Sequence, residues 1–208
     1  MTVIVDYGVG NLFSLKSSLK YIGVESTVSG DAEIIRRADR IILPGVGAFE
    51  DAMKKLCVNA LDKVVVEQAK SGKPLMGICL GMQMLFDRSY EYGVFEGLGL
   101  ISGEIRHIAP IIPKGYKVPH IGWNALHIRD NNDRSAVFKY INDGDSVYFV
   151  HSYAAMDCEE HTIATAEYGA ELTAAVQREN VFGMQFHPEK SSEVGLKILK
   201  AFCEINQQ

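Results

Sequence analysis

Short apolar runs at residues 3–5, 40–43 and 75–78 alternate with amphipathic stretches at residues 11–21, 48–56 and 60–70. The runs have the length of buried strands and the stretches the length of helices. In the first stretch Leu12, Leu15, Leu19 and Ile22 recur at helical spacing, with Lys16 and Lys20 between them, so one face is apolar and the other charged. Strand, helix and strand in alternation predict a parallel sheet covered by helices. The second half changes character. Residues 99–108, 145–150, 162–168 and 172–178 are rich in strand formers and separated by turn residues such as Asn142-Asp143-Gly144. Residues 191–205 close the chain as a helix. The pattern predicts an α/β chain with a mixed, mainly parallel central sheet, flanking helices and an added antiparallel β portion. No repeat, low-complexity run or linker interrupts it, so residues 1–208 are expected to form one domain.

Composition narrows the classes of function. The 208 residues suffice for a sizeable core, and 47% hydrophobic content excludes a disordered chain. Twenty-six acidic against 21 basic residues leave a net charge of −5, without a Lys/Arg cluster, which argues against a nucleic-acid surface. No segment reaches transmembrane length, and the chain begins directly in a strand pattern rather than a signal peptide. Cys57, Cys79, Cys158 and Cys203 form no Cys-x-x-Cys pair and no metal-spaced cluster with histidine. A reduced, cytoplasmic protein without structural metal is the expectation.

Candidate chemistry centres on Gly77-Ile78-Cys79-Leu80-Gly81-Met82-Gln83. It follows the apolar strand Pro74-Leu75-Met76 and leads into a predicted helix, Met82-Gln83-Met84-Leu85-Phe86. A nucleophile with glycines two residues before and after it, between strand and helix, is the thiol form of the G-x-S-x-G elbow. Side chains at the flanking positions would collide with the neighbouring strand or helix, hence the glycines. At a helix start the macrodipole and free N–H groups favour thiolate. The competing reading is a buried structural cysteine in a glycine-rich turn. A thiol nucleophile needs a base and the base an orienting group. A predicted short strand, Gly183-Met184-Gln185-Phe186, runs into His187-Pro188-Glu189. Extended geometry before the proline would send His187 and Glu189 to the same side. Cys79, His187 and Glu189 thus form a candidate triad. Leu80, following the nucleophile, supplies one oxyanion donor, and Gln83, one turn on, faces the same cleft.

With these motifs the chain resembles the triad-type, class I glutamine amidotransferases. Asp6-Tyr7-Gly8-Val9-Gly10-Asn11, Leu43-Pro44-Gly45-Val46-Gly47-Ala48-Phe49, Pro119-His120-Ile121-Gly122-Trp123-Asn124 and Tyr148-Phe149-Val150-His151-Ser152-Tyr153 narrow the resemblance to the glutaminase subunits of imidazole glycerol phosphate synthase. It extends over nearly the whole chain. The resemblance implies a class I glutamine amidotransferase-like fold and hydrolysis of glutamine to glutamate and ammonia through a Cys79 γ-glutamyl thioester. It implies no cofactor. It makes Gly45-Val46 the oxyanion peptide and assigns glutamine binding to Gly47, Gln83, Glu91, Ser152 and Tyr153. Asn11, Trp123, Tyr148 and Lys190 would face a (β/α)₈-barrel cyclase partner, which receives the ammonia for histidine biosynthesis. The stretch around Glu91, Arg88-Ser89-Tyr90-Glu91-Tyr92, departs from the more acidic pattern of that family. Two other functions share the triad or the fold: a γ-glutamyl hydrolase or amidotransferase of another pathway, and a catalytically silent regulatory subunit. The Gly-Trp-Asn and Asp-Tyr-Gly-x-Gly-Asn segments weigh against the first and the intact triad against the second. His107, His120, His127, His151 and His161 have no ligand spacing among them and read as structural or surface histidines, with His120 and His151 inside the family motifs. Gln185 reads as a plain strand residue.

Overall fold

A computed structural model describes residues 1–129 and 134–206. The first half runs β1 (Thr2–Val5), α1 (Leu12–Tyr21), β2 (Ser26–Ser29), α2 (Ala32–Arg37), β3 (Arg40–Gly45), α3 (Phe49–Cys57), α4 (Leu61–Lys70), β4 (Leu75–Cys79) and α5 (Leu80–Gln83). The second half holds β5 (Phe86–Ser89), β6 (Phe95–Glu96), β7 (Ile101–His107), β8 (His120–Ala125), β9 (His127–Ile128), β10 (Ser146–His151), β11 (Tyr153–Met156), β12 (Thr162–Glu167), β13 (Glu171–Arg178), β14 (Val181–Met184) and α6 (Ser192–Cys203).

The main sheet has the order β2-β1-β3-β4-β14-β13-β12-β9. Its first five strands are parallel and the last three antiparallel. This is the mixed sheet that the patterning implies. The central strands are apolar throughout because both faces are covered. Val3, Val5, Ile41 and Leu43 pack on one side with Leu56 and Val65. Ile4, Ile42, Met76 and Ile78 pack on the other with Leu15, Leu19, Ile198 and Phe202. That alternation is the pleat expressed in sequence. The remaining strands form a β10-β8 ribbon and a four-stranded sheet, β11-β7-β5-β6. No helix among the described residues is long and apolar enough to cross a membrane.

Two expectations about local structure need correction. The helix expected over residues 82–86 is one turn, Leu80–Gln83, and Phe86 already begins β5. Leu98 N–H takes the Met84 carbonyl at 2.8 Å, and Leu100 and Ile101 N–H both take that of Leu85, at 2.8 and 3.0 Å. Those carbonyls serve the turn leading to β7, so the helix cannot continue. The strand expected at residues 183–186 is Val181–Met184, two residues earlier, because pairing with Leu75–Ile78 of β4 sets its extent.

Candidate active site

β4 ends at Cys79 and α5 starts at the next residue, so the chain turns within one peptide. Cys79 sits at φ 54°, ψ −113°, a region that side-chain-bearing residues rarely adopt. Tight packing enforces it. A Cβ on Gly81 would lie 1.9 Å from the Leu43 carbonyl oxygen, and one on Gly77 would lie 2.6 Å from that of Gly81. Only hydrogen at these two positions lets α5 lie against β3 and β4. The Cys79 side chain is buried, with Gln185 Nε2 and the Val150 carbonyl each 3.9 Å from Sγ. A helix of one turn carries little macrodipole, so activation of the thiol falls to the neighbouring imidazole.

His187 is extended (φ −99°, ψ 98°) and opens a tight 3₁₀ turn, Pro188–Lys190. The turn, rather than a continuing extended segment, brings Glu189 back to the ring: Nδ1 and Oε1 are 2.8 Å apart. Both side chains are almost fully buried. The His187 N–H donates to the Tyr148 carbonyl at 3.0 Å, and Ser191 Oγ donates to the His187 carbonyl at 2.7 Å. These bonds fix the backbone beneath the ring. Asn11 Nδ2 donates to the same Glu189 Oε1 at 3.1 Å, whereas Oε2 is buried with no hydrogen-bond partner among the described residues. Asn11, expected on a partner surface, thus also braces the carboxylate.

Burial is the largest influence on His187 and would lower it, but hydrogen bonds and charges from Cys79 and Glu189 outweigh burial and raise it to about 9. Burial would likewise raise Glu189, and the His187 and Asn11 bonds reverse this, so its carboxyl ends below the ordinary range. The result is a carboxylate holding a proton-rich imidazole against a thiol. Chemically this arrangement can remove a proton from a nucleophile and deliver it to a leaving amine.

The Gly45-Val46-Gly47 segment lies across from the thiol. β3 and β4 stay paired to their ends, with Gly45 opposite Cys79. Ile41 N–H reaches the Pro74 carbonyl at 2.9 Å at the start of this pairing. Gly47 has φ 95°. The Tyr7 hydroxyl donates to the Pro44 carbonyl at 2.6 Å, and Phe49 N–H donates to Glu91 Oε2 at 2.6 Å. Burial raises Glu91, with the Phe49 bond opposing.

A cleft of about 490 Å³ joins these parts. Cys79, His187, Leu80, Val46, Gly47, Gln83, Glu91, Ser152 and Tyr153 line it, together with Asn11 and Lys190. Gln83 Nε2 donates to the Tyr153 carbonyl at 3.1 Å and to Gln185 Oε1 at 3.0 Å. Trp123 and Tyr148 lie outside the cleft, opposite each other on the β8–β10 ribbon with ring centroids 5.9 Å apart. Trp123 is 52% exposed and Phe13 85%.

Several residues here escape sequence reasoning. Gln185 is fully buried beside the thiol, and its signal was a lone amide among apolar residues. His120 and His151 are 31 positions apart, yet the ribbon pairs them and their rings bond at 3.1 Å. Burial lowers both, His151 to about 3. His151 Nδ1 lies 2.9 Å from the Tyr153 carbonyl, so the pair buttresses the cleft wall.

A family model described as "Glutamine amidotransferase class-I" matches residues 3–205. The imidazole glycerol phosphate synthase subunit HisH of Oceanobacillus iheyensis is 47% identical over 206 residues, covering 99% of each chain. The subunit of the same name from Methanosarcina acetivorans is 49% identical, covering 98% of each. Among solved structures, PurLQS from Thermotoga maritima matches with TM-score 0.74 at 21% identity, over 97% of this chain and 96% of that one. The Trypanosoma brucei CTPS glutaminase domain with bound acivicin matches with TM-score 0.67 at 16% identity, over 99% and 94%. At those identities the structures bear on the fold alone, and they bear out the class I glutamine amidotransferase fold.

Proposed function

This chain belongs to the class I glutamine amidotransferases and, within them, to the HisH subunits of imidazole glycerol phosphate synthase, and from that premise we propose that it is a glutaminase working through a Cys79-His187-Glu189 triad. His187 keeps the proton drawn from the Cys79 thiol while Cys79 attacks the side-chain amide carbon of glutamine. The tetrahedral oxyanion is held by N–H donors at Leu80 and at the Gly45–Val46 peptide. Collapse expels ammonia with the proton from His187 and leaves a γ-glutamyl thioester. Water, deprotonated by His187, then releases glutamate and restores the thiol. Gly47, Gln83, Glu91, Ser152 and Tyr153 hold the amino-acid end of glutamine, Glu91 facing its ammonium. The observation that carries this reading is the His187 ring, held at 2.8 Å by Glu189 and lining the same cleft as the strained Cys79.

The whole chain acts as one glutaminase domain, in a heterodimer with a cyclase that receives the ammonia. Exposed Phe13, Ile121 and Trp123 support a docking face beside the cleft, with Asn11, Tyr148 and Lys190 at its inner edge. Ammonia released into water would be protonated and diluted, which favours direct delivery. All four cysteines are free, which supports a reducing, cytoplasmic setting. An electrophilic glutamine analogue should label Cys79 alone, and glutamine should protect it. Labelling elsewhere, or none, contradicts the assignment.

A further inference from the structure

The segment that carries the second oxyanion donor is tied at both ends by side chains from elsewhere in the chain. At its start, Tyr7 from the turn after β1 donates its hydroxyl to the Pro44 carbonyl at 2.6 Å. At its end, Glu91 from the turn after β5 accepts the Phe49 N–H at 2.6 Å. Tyr7 is 7% exposed, and its hydroxyl is held protonated by burial and by the charge of the adjacent Cys79, so it remains a donor. Between the two ties lie Gly45, Val46, Gly47 and Ala48, of which Val46 and Gly47 are exposed to the cleft. A chain fixed at two points with four residues between them can rotate only the peptides between those points.

We propose that Tyr7 and Glu91 are positioning residues that clamp the oxyanion segment, confining its motion to the peptides of Gly45–Gly47 and setting where its N–H can point. This rests on the triad reading. Glu91 then has two tasks on one carboxylate: Oε2 holds Phe49 N–H, and the remaining charge faces the substrate ammonium. Engagement of glutamine is therefore felt at the end of the segment that must hold the oxyanion. Neither tyrosine nor glutamate touches the scissile amide.

The test separates acylation, which needs the oxyanion donor, from alkylation of the thiol by iodoacetamide, which does not. Loss of a whole oxyanion donor costs roughly 10²–10³ in turnover, so a loosened clamp should lower kcat at least about tenfold. Tyr7→Phe and Glu91→Ala, in the complex with the cyclase, should each show that loss while iodoacetamide reacts with Cys79 at the unmodified rate. Glu91→Gln keeps an acceptor for Phe49 N–H and loses the charge, so it should recover kcat and retain a raised KM. Unmodified kcat in either Tyr7→Phe or Glu91→Ala overturns the proposal. So does an equal loss of turnover and alkylation, which locates the damage at the thiol. Failure of the triad reading shows separately, as glutamine turnover surviving in Cys79→Ala.

Discussion

Glu189→Gln exchanges one atom in the most buried part of the site. The new side-chain oxygen would still accept His187 Nδ1–H and Asn11 Nδ2–H, as Oε1 does now at 2.8 and 3.1 Å. Its NH₂ would then occupy the place of Oε2, which is buried with no partner among the described residues. One unsatisfied group thus replaces another, and the loss comes from turning two charge-assisted bonds into neutral ones, about 1 kcal/mol, so the variant should unfold at slightly lower denaturant. The negative charge disappears as well, and Glu189 is one of the groups that raise His187 to about 9. A histidine whose folded pKa exceeds its unfolded value contributes stability that is fully present below about 6.5 and lost as pH rises through about 9. In the variant that loss begins at lower pH, and the alkaline limb of the turnover profile moves the same way. In triad hydrolases, removing the orienting acid is milder than removing the base by roughly 10–10² in turnover, and the same ratio is expected here. The assay is glutamate release at saturating glutamine across the neutral and alkaline range, with cyclase present. An unmodified rate with an unmoved alkaline limb refutes the role of Glu189.

His187→Asn should reduce turnover nearly as far as loss of the thiol, and an activity above that of Glu189→Gln would require the two roles to be exchanged. Gly81→Ala should lose about 3 kcal/mol or more, because its Cβ would fall 1.9 Å from the Leu43 carbonyl oxygen and β3 must move. Equal denaturation midpoints for the variant and the unmodified chain would contradict the packing described at the elbow. The chain alone should be a poor glutaminase and its ligand-loaded cyclase should raise turnover, by up to about 10²–10³ if the Gly45–Val46 peptide rotates to supply a missing donor. Full activity in the isolated chain, unchanged by either addition, removes the switch and leaves the hydrolase.

What the sequence reveals depends on whether neighbours in the fold are neighbours in the chain. Val3 and Val5 against Ile4, or Leu15 and Leu19 along α1, announce their faces because pleat and helix repeat locally. The Cys79 elbow is equally legible, since a cysteine between two glycines at a strand–helix junction is a local pattern, even though the atom that Gly81 must clear is the Leu43 carbonyl of β3. Gln185 and the His120–His151 pair are not, because the sheet and ribbon register that sets them together is a tertiary result. The single turn of α5 was hidden for the same reason: propensity favours a longer helix through Leu85, and the claim of residues 98–101 on its carbonyls overrides it. Asn11 shows the limit on roles. Its motif points to a partner, while its amide is bonded to the buried Glu189 carboxylate behind His187.

The central claim is a covalent one: glutamine passes through a γ-glutamyl thioester on Cys79. Rapid acid quenching of the complex during turnover, followed by mass spectrometry of the peptide bearing residues 74–86, reads it directly. A single glutamyl adduct on Cys79 is expected, accumulating in the first turnover, discharged by hydroxylamine and absent in Cys79→Ala, which should also release no ammonia from glutamine. Glutamine turnover persisting in Cys79→Ala, or an adduct carried by any other residue, would contradict the account.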